Sequence, residues 1–184
     1  SDKKVATITA KPLFDTCPPR ENGELATSDQ ALAYLDKCLE TQGQTKALYF
    51  DPQTGQYQPE RRKLHEAIVD NLLKNVRCVK QGKPIAVFTG GSPGAGKTHF
   101  LRENAQYLLS PDVFHLDADD IRAMLPEYEG WNANRTHNES QDIVTELLEK
   151  IGEGSCRYDF IYDGTMNKAR KYFALIKRAK DMGY

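Results

Sequence analysis

Gly91-Ser92-Pro93-Gly94-Ala95-Gly96-Lys97-Thr98, reached from Pro84-Ile85-Ala86-Val87-Phe88-Thr89, is the stretch that decides how this chain is read. The upstream run is short, continuous and apolar, the pattern of a strand covered on both faces in a parallel sheet. The octapeptide meets the spacing G-x-x-x-x-G-K-[ST] at Gly91, Gly96, Lys97 and Thr98. Glycines let a backbone wrap an anion in conformations a side chain forbids. A helix starting near Lys97 aims its positive end at that anion. Lys97 adds a mobile cation for the β and γ phosphates, and the Thr98 hydroxyl completes a Mg²⁺ shell. Gly91, Ser92, Pro93, Gly94, Ala95, Gly96, Lys97 and Thr98 are therefore the expected binding segment for ATP or GTP with Mg²⁺. A chance match in a glycine-rich turn is the competing explanation, and the strand before and helix after argue against it. A loop that holds nucleotide only as a structural ligand stays open.

Downstream, the spacing predicts a helix over 97–109 with Leu101, Ala105 and Leu108 inward, then a second strand over 113–116 running into Asp117-Ala118-Asp119-Asp120. A short helix follows and is stopped by Pro126. Residues 127–138 read as a polar loop carrying the sole tryptophan, Trp131. A helix over 139–151 buries Ile143, Leu147 and Ile151. Phe160-Ile161-Tyr162 is a third strand, ending in Asp163-Gly164-Thr165, and a last helix over 167–180 buries Ala169, Phe173 and Ile176. Strands alternating with helices predict an α/β fold with a parallel sheet and right-handed crossovers.

Upstream, residues 1–26 read as a loose arm with Pro12, Pro18, Pro19 and Gly23. Ser28 then caps a helix with Leu32, Leu35 and Leu39 inward, beside Ala31 and Cys38, ended by Gly43. Residues 49–55 are turn-rich. Pro59 opens a second helix whose buried stripe is Leu64, Ala67, Ile68 and Leu72, broken at Gln81-Gly82-Lys83. The expected division is an N-terminal arm and helical extension, 1–56, and a nucleotide-binding domain, 57–184.

Ligands of open α/β sheets bind beyond the carboxyl ends of the strands. Two of the three expected strands end in acids. A phosphoryl acceptor needs its hydroxyl aligned and its proton received, which a carboxylate beside the γ-phosphate achieves. Asp119 is the chosen base, with Asp117 as its alternative; on pattern alone Asp119 or Asp120 could equally cap the short helix. Asp163 stands where an acid holds Mg²⁺ through water, while Thr165 and Asn167 fit either substrate contact or capping. His65 reads as a structural histidine on its helix. His137, Trp131 and Tyr128 fit either substrate contact or loop anchoring. Arg61-Arg62-Lys63 and the run from Lys168 to Lys171 read as solvated helix faces.

The chain has 184 residues and a net charge of −1, which gives no electrostatic case for nucleic acid or an anionic membrane. No apolar run approaches the roughly 20 residues that span a bilayer. The four cysteines, Cys17, Cys38, Cys78 and Cys156, show no C-x-x-C pair and no clustering with histidine, which argues against zinc. Reduced thiols in a cytoplasmic protein are expected; an effector exported without a conventional signal has the same appearance.

The ordered set Gly90-Gly91-Ser92-Pro93-Gly94-Ala95-Gly96-Lys97-Thr98, Leu116-Asp117-Ala118-Asp119, Leu125-Pro126-Glu127-Tyr128 and Asp163-Gly164-Thr165 resembles the zeta toxin family of P-loop kinases. The helix with Arg61, Leu64, His65 and Ile68 is similar to one found before the phosphate loop in many members. The resemblance runs from Tyr57 to Tyr184. It implies a P-loop kinase fold that phosphorylates a hydroxyl of a small acceptor, for the best-known members UDP-N-acetylglucosamine, and it implies a small antitoxin partner. It makes Lys97 the phosphate-binding lysine, Thr98 the Mg²⁺ hydroxyl and Asp119 the base, ahead of Asp117 and of capping. The family usually has Glu where Asp163 stands. A substrate-binding acid is expected after the polar loop; Asp142 is the nearest candidate, with Glu139 and Glu146 as rivals. The resemblance further implies a fourth strand and an arginine-bearing lid beyond Tyr184, so the domain is expected to be truncated after its third core strand. Another P-loop kinase, acting on a nucleoside, a polynucleotide end or a dinucleotide, and a non-catalytic nucleotide-binding module are the alternatives.

Overall fold

A computed structural model of the protein describes residues 14–79, 82–92, 94–108, 113–152 and 156–184, excluding the side chains of residues 98, 102 and 105–108. Two compact units result, Ser1–Gly43 and Gln44–Tyr184. Within the first, a short hairpin pairs β1 (Arg20–Glu21) with β2 (Glu24–Leu25). Asn22 and Gly23 turn it at φ 52° and 85°, the positive values a two-residue hairpin loop demands. Helix α1 (Asp29–Gln42) starts at Ser28, whose Oγ accepts from Ala31 N at 3.2 Å, and stops at Gly43, as the sequence indicates. Its buried residues are Ala31 and Cys38, and Leu32 faces outward. The expected leucine stripe is thus rotated by one position, because Ala31 packs with Phe14 and Ala26. Of the expected N-terminal arm, residues 1–13 lie outside the described residues.

Reduced cysteines were the expectation, and the structure corrects it. Cys17 is bonded to Cys38 in the first unit, and Cys78 to Cys156 in the second. Cα separations of 5.6 and 5.3 Å suit such bonds. Sequence spacing carries no signal for pairs this far apart.

In the second unit α2 (Thr45–Tyr49) leads into a hairpin of β3 (Phe50–Asp51) and β4 (Gln56–Tyr57), where only turns were expected. Helix α3 (Pro59–Leu73) follows. Its buried positions are Arg61, His65, Ile68 and Val69; Ala67 is exposed, so charged residues occupy part of the core-facing stripe.

The core sheet contains β5 (Ala86–Phe88), β6 (Phe114–Asp117) and β7 (Phe160–Asp163), all parallel, in the order β5-β7-β6. The last strand in sequence lies in the centre, and its first three residues are fully buried. Among the described residues, strand β5 pairs on one side only and is partly exposed, against the expectation of cover on both faces. Asp159 locks the strand starts, its Oδ1 accepting from Ile85 N at 2.7 Å.

Four helices complete the unit: α4 (Lys97–Leu108), α5 (Ala118–Ala123), α6 (Ala133–Gly152) and α7 (Ala169–Asp181). Ile121, Leu125, Ile143, Val144, Leu147 and Ile151 fill the core against Phe114, Leu116, Phe160 and Tyr162. The helix α6 begins six residues earlier than expected. Asn132, fully buried, ties the turn ahead of it: its amide donates to Glu127 O at 2.9 Å and accepts from Glu129 N at 2.9 Å. A buried asparagine reads in sequence as loop composition, which hid the helix start.

Candidate functional site

The loop after β5 turns through Gly91, Gly94 and Gly96 at φ 146°, 79° and 81°, where side chains are strained. A Cβ on Gly90 would meet the Met166 side chain at 2.8 Å. Lys97 Nζ donates to the carbonyls of Gly91 at 2.9 Å and Ser92 at 3.3 Å, and Gly91 N donates to Thr165 O at 3.3 Å. The loop is thereby tied to the segment leaving β7, with its cation folded onto its own backbone. Pro93 and the Thr98 hydroxyl lie outside the described residues.

A cavity of about 420 Å³ opens at the carboxyl ends of the parallel strands. Lys97, Asp119, Asp163 and Thr165 all line it. Three stretches of sequence, at 97, 119 and 163–165, meet there, the last two because β6 and β7 lie side by side in register, Asp117 opposite Asp163. Asp163 Oδ1 accepts from Thr89 Oγ1 at 2.7 Å.

The capping question at α5 has a definite answer. Asp117 is the N-cap, accepting from Asp119 N at 2.8 Å. Burial raises the Asp117 pKa; the Asp119 amide opposes this, and the charges of Asp119, Asp120 and Asp163 add to it. Asp119 is left exposed at the cavity, its Oδ1 accepting from Arg122 Nη1 at 2.8 Å. Arg122 Nε is buried with no protein partner.

Basic groups also line the cavity: Arg122, His137, Lys168 and Lys171. Burial lowers the His137 pKa, and the cations of Arg122, Lys171 and Lys168 lower it further. Burial and Lys168 likewise lower that of Lys171, whose Nζ donates to Gln141 Oε1. The run from Lys168 to Lys171 is therefore not wholly a solvated face. Sequence reading also passed over Arg122 and Gln141; the three-residue spacing of Arg122 from Asp119 was the available signal.

Asp142, the expected substrate acid, does not line this cavity. It binds Lys46 Nζ at 2.7 Å and the Tyr57 hydroxyl at 2.6 Å. Its rivals are occupied too. Glu139 is held by Arg61 and His65, and Glu146 by His65. The reason is helical phase: with α6 starting at Ala133, residues 137 and 141 share one face and 139, 142 and 146 another. Trp131 donates to Glu129 Oε2 at 2.7 Å and anchors its own turn.

The residues present fit a Mg²⁺-nucleotide. Gly91, Gly94 and Gly96 take positive φ in the loop, Lys97 is bonded to its carbonyls, and the Asp163 carboxylate stands at the end of the neighbouring strand, bonded to Thr89 just before the loop. Among the described residues no cluster of three or more His, Cys, Asp or Glu could cage a metal. Mg²⁺ bound to phosphates needs none, since it keeps waters and takes one or two protein ligands.

A family model described as Zeta toxin matches residues 69–184, more than half of the chain. The chain belongs to the Zeta toxin family. Among this family's curated members, Toxin PezT of Streptococcus pneumoniae serotype 4 (strain ATCC BAA-334 / TIGR4) is 28% identical over 125 residues, covering 61% of this chain and 48% of that toxin. A solved structure from the PezAT chromosomal toxin-antitoxin system of Streptococcus pneumoniae aligns with a TM-score of 0.54 and 24% identity, over 70% of this chain and 55% of that one. The AvrRxo1-ORF1:AvrRxo1-ORF2 complex with sulphate ions aligns at 0.55 and 17% identity, over 76% and 52%. These likenesses establish the fold: a P-loop kinase-type parallel sheet with flanking helices. The chain spans about half the length of the zeta toxin relatives it matches. Among the described residues, no helix of this zeta toxin family member is long and apolar enough to cross a membrane.

Proposed function

We propose that this chain is the nucleotide- and acceptor-binding part of a kinase that transfers the γ-phosphoryl of ATP or GTP to a hydroxyl of a small molecule of the nucleotide-sugar class, such as UDP-N-acetylglucosamine. The single observation that carries the reading is the meeting of Lys97, Asp119, Asp163 and Thr165 in one strand-end cavity, in a zeta toxin family chain.

The chemistry follows from those residues. Backbone amides of the loop and Lys97 neutralise the phosphate chain, Lys97 leaving the Gly91 and Ser92 carbonyls to do so. Asp119 receives the proton of the acceptor hydroxyl and orients its lone pair on the γ-phosphorus. Thr98 and Asp163 would hold Mg²⁺, which would supply charge neutralisation to the phosphate chain. Thr165 contacts the acceptor. Arg122, Lys168 and Lys171 suit the negative charge of a diphosphate-linked acceptor.

An antitoxin protein is the proposed partner, in line with the toxin-antitoxin system of the PezAT relative. The site of action is the cytoplasm, where nucleotide is held; the two disulfides add passage through an oxidising compartment, as for an exported effector.

The test is transfer of labelled γ-phosphate from Mg·ATP or Mg·GTP to UDP-N-acetylglucosamine and to neutral sugars and nucleosides, with Asp119→Asn as control. Label on the nucleotide sugar, lost in the control, supports the reading. Tight nucleotide binding with no acceptor labelled overturns it in favour of a binding module.

A further inference from the structure

Helix α6 presents two faces that differ by half a turn. His137 and Gln141, four apart, look into the cavity. Glu139, Asp142 and Glu146 follow one another at three and four residues on the other face, and every one of them is bound to an upstream element.

The binding is dense and dry. Arg61 on α3 is 7% exposed and Glu139 0%. Its Nε and Nη2 donate to Glu139 at 2.5 and 2.9 Å, while Nη1 and Nη2 donate to the two oxygens of Glu127 at 2.8 Å each. His65, one turn on and 1% exposed, bonds Glu139 Oε1 through Nε2 at 2.8 Å and Glu146 Oε1 through Nδ1 at 3.1 Å. Tyr49 donates to Glu127 at 3.0 Å, and Lys46 and Tyr57 hold Asp142. Glu127 lies in the turn that joins α5, carrying Asp119 and Arg122, to α6. One guanidinium thus grips both segments that supply the acceptor side of the cavity, without touching the cavity.

Apolar packing tolerates small rotations of a helix, whereas this array does not. Turning α6 by one residue, about 100°, would withdraw Glu139 and Glu146, leaving the buried His65 without either partner and Arg61 with Glu127 alone. We propose that Arg61 and His65 are positioning residues: by holding Glu127 and Glu139 they fix the rotation of α6, and with it the presentation of His137 and Gln141 beside Asp119. Its consequence for turnover rests on the phosphotransferase reading; its geometry does not.

The experiment therefore reads α6 directly. The His137 ring sits among Arg122, Lys171 and Lys168, opposed by Asp119, and its pKa is held low there. Ring-proton titration by NMR is performed on the 184-residue chain and on Arg61→Met, Arg61→Lys and Glu146→Gln. The expected result is a rise of the His137 midpoint toward the free value of about 6.5 in Arg61→Met and a smaller rise in Arg61→Lys and Glu146→Gln, with affinity for Mg·ATP unchanged. Where an acceptor is turned over, its kcat/KM falls on the order of tenfold to a hundredfold while the KM for nucleotide holds. Glu146 is partly exposed, so Glu146→Gln provides a folded test even where Arg61→Met fails to fold. A wild-type His137 midpoint in folded Arg61→Lys and Glu146→Gln overturns the proposal. Absence of any transfer with the expected midpoint shift overturns the kinase reading alone.

Discussion

Thr89 Oγ1 donates to Asp163 Oδ1 at 2.7 Å, across the carboxyl ends of β5 and β7. One hydroxyl thus orients the carboxylate proposed to serve Mg²⁺, and it does so from the residue that follows β5 and leads into the phosphate loop. Thr89→Val keeps the shape and deletes the donor. It should cost about 1 kcal/mol of stability, the net worth of one such bond, and weaken Mg²⁺ dependence of nucleotide binding while leaving binding without metal untouched. Titrating Mg²⁺ at fixed ATP in a melting assay checks this; identical Mg²⁺ midpoints for variant and parent would sink it.

Lys97 should decide nucleotide binding. At a ligand concentration of a hundred times Kd, binding adds about 2.7 kcal/mol to the folded state, a clear rise in Tm. Lys97→Ala should abolish the rise with Mg·ATP and Mg·GTP. The unliganded Tm should change little, because the bonds that Lys97 makes to Gly91 and Ser92 lie partly open to water.

Asp119→Asn should keep the nucleotide melting shift and lose on the order of a hundredfold to ten-thousandfold in phosphoryl transfer. Its partner separates orientation from proton uptake. Arg122→Gln frees Asp119 from the 2.8 Å ion pair and should raise the KM for an anionic acceptor more than it lowers kcat. Equal loss in both parameters would count against a binding role for Arg122.

Much of this was legible in sequence because it rests on local chemistry. The glycine spacing, the apolar run at 84–89 and the acids after two of the three strands announce a phosphate loop on a parallel sheet, and Lys97, Asp119, Asp163 and Thr165 line one cavity. What escaped depends on long-range partners. Arg61 and His65 read as surface and structural residues because nothing near them in sequence reveals Glu127 and Glu139. Asp142 was chosen by proximity to a loop whose second half is helix, so its helical phase came out wrong. Cysteines 78 residues apart carry no mark of their pairing.

Those cysteines give a direct measurement. The unreduced protein should have a mass four hydrogens below that of the reduced chain and no thiol reactive to alkylation under denaturing conditions. Replacing Cys78 and Cys156 by serine should lower stability by on the order of 4 kcal/mol, since the bond closes a long loop in the unfolded chain. Four alkylated thiols in protein isolated without reductant would refute the pairing.

The His65–Glu139 pair sets a pH window for stability. Burial alone would lower the His65 pKa, but hydrogen bonds to Glu139 and Glu146 raise it to about 9. The folded state therefore holds this proton more tightly than the unfolded one. The contribution is complete below the unfolded value of about 6.5, is lost as pH climbs through 9, and is on the order of 3 kcal/mol. Burial would raise the Glu139 pKa, yet His65 and Arg61 pull it down to about 2, so the acid limb is lost as pH falls below about 4.5 toward 2. The two limbs describe one shared interaction and do not add. Thermal unfolding followed from pH 3 to 10 should give highest Tm between about 4.5 and 6.5, with a decline on both sides. His65→Gln, which cannot charge, should be less stable at pH 6 and flatter on the alkaline side. An alkaline decline as steep in that variant as in the parent would show that the proton on His65 is not what the fold retains.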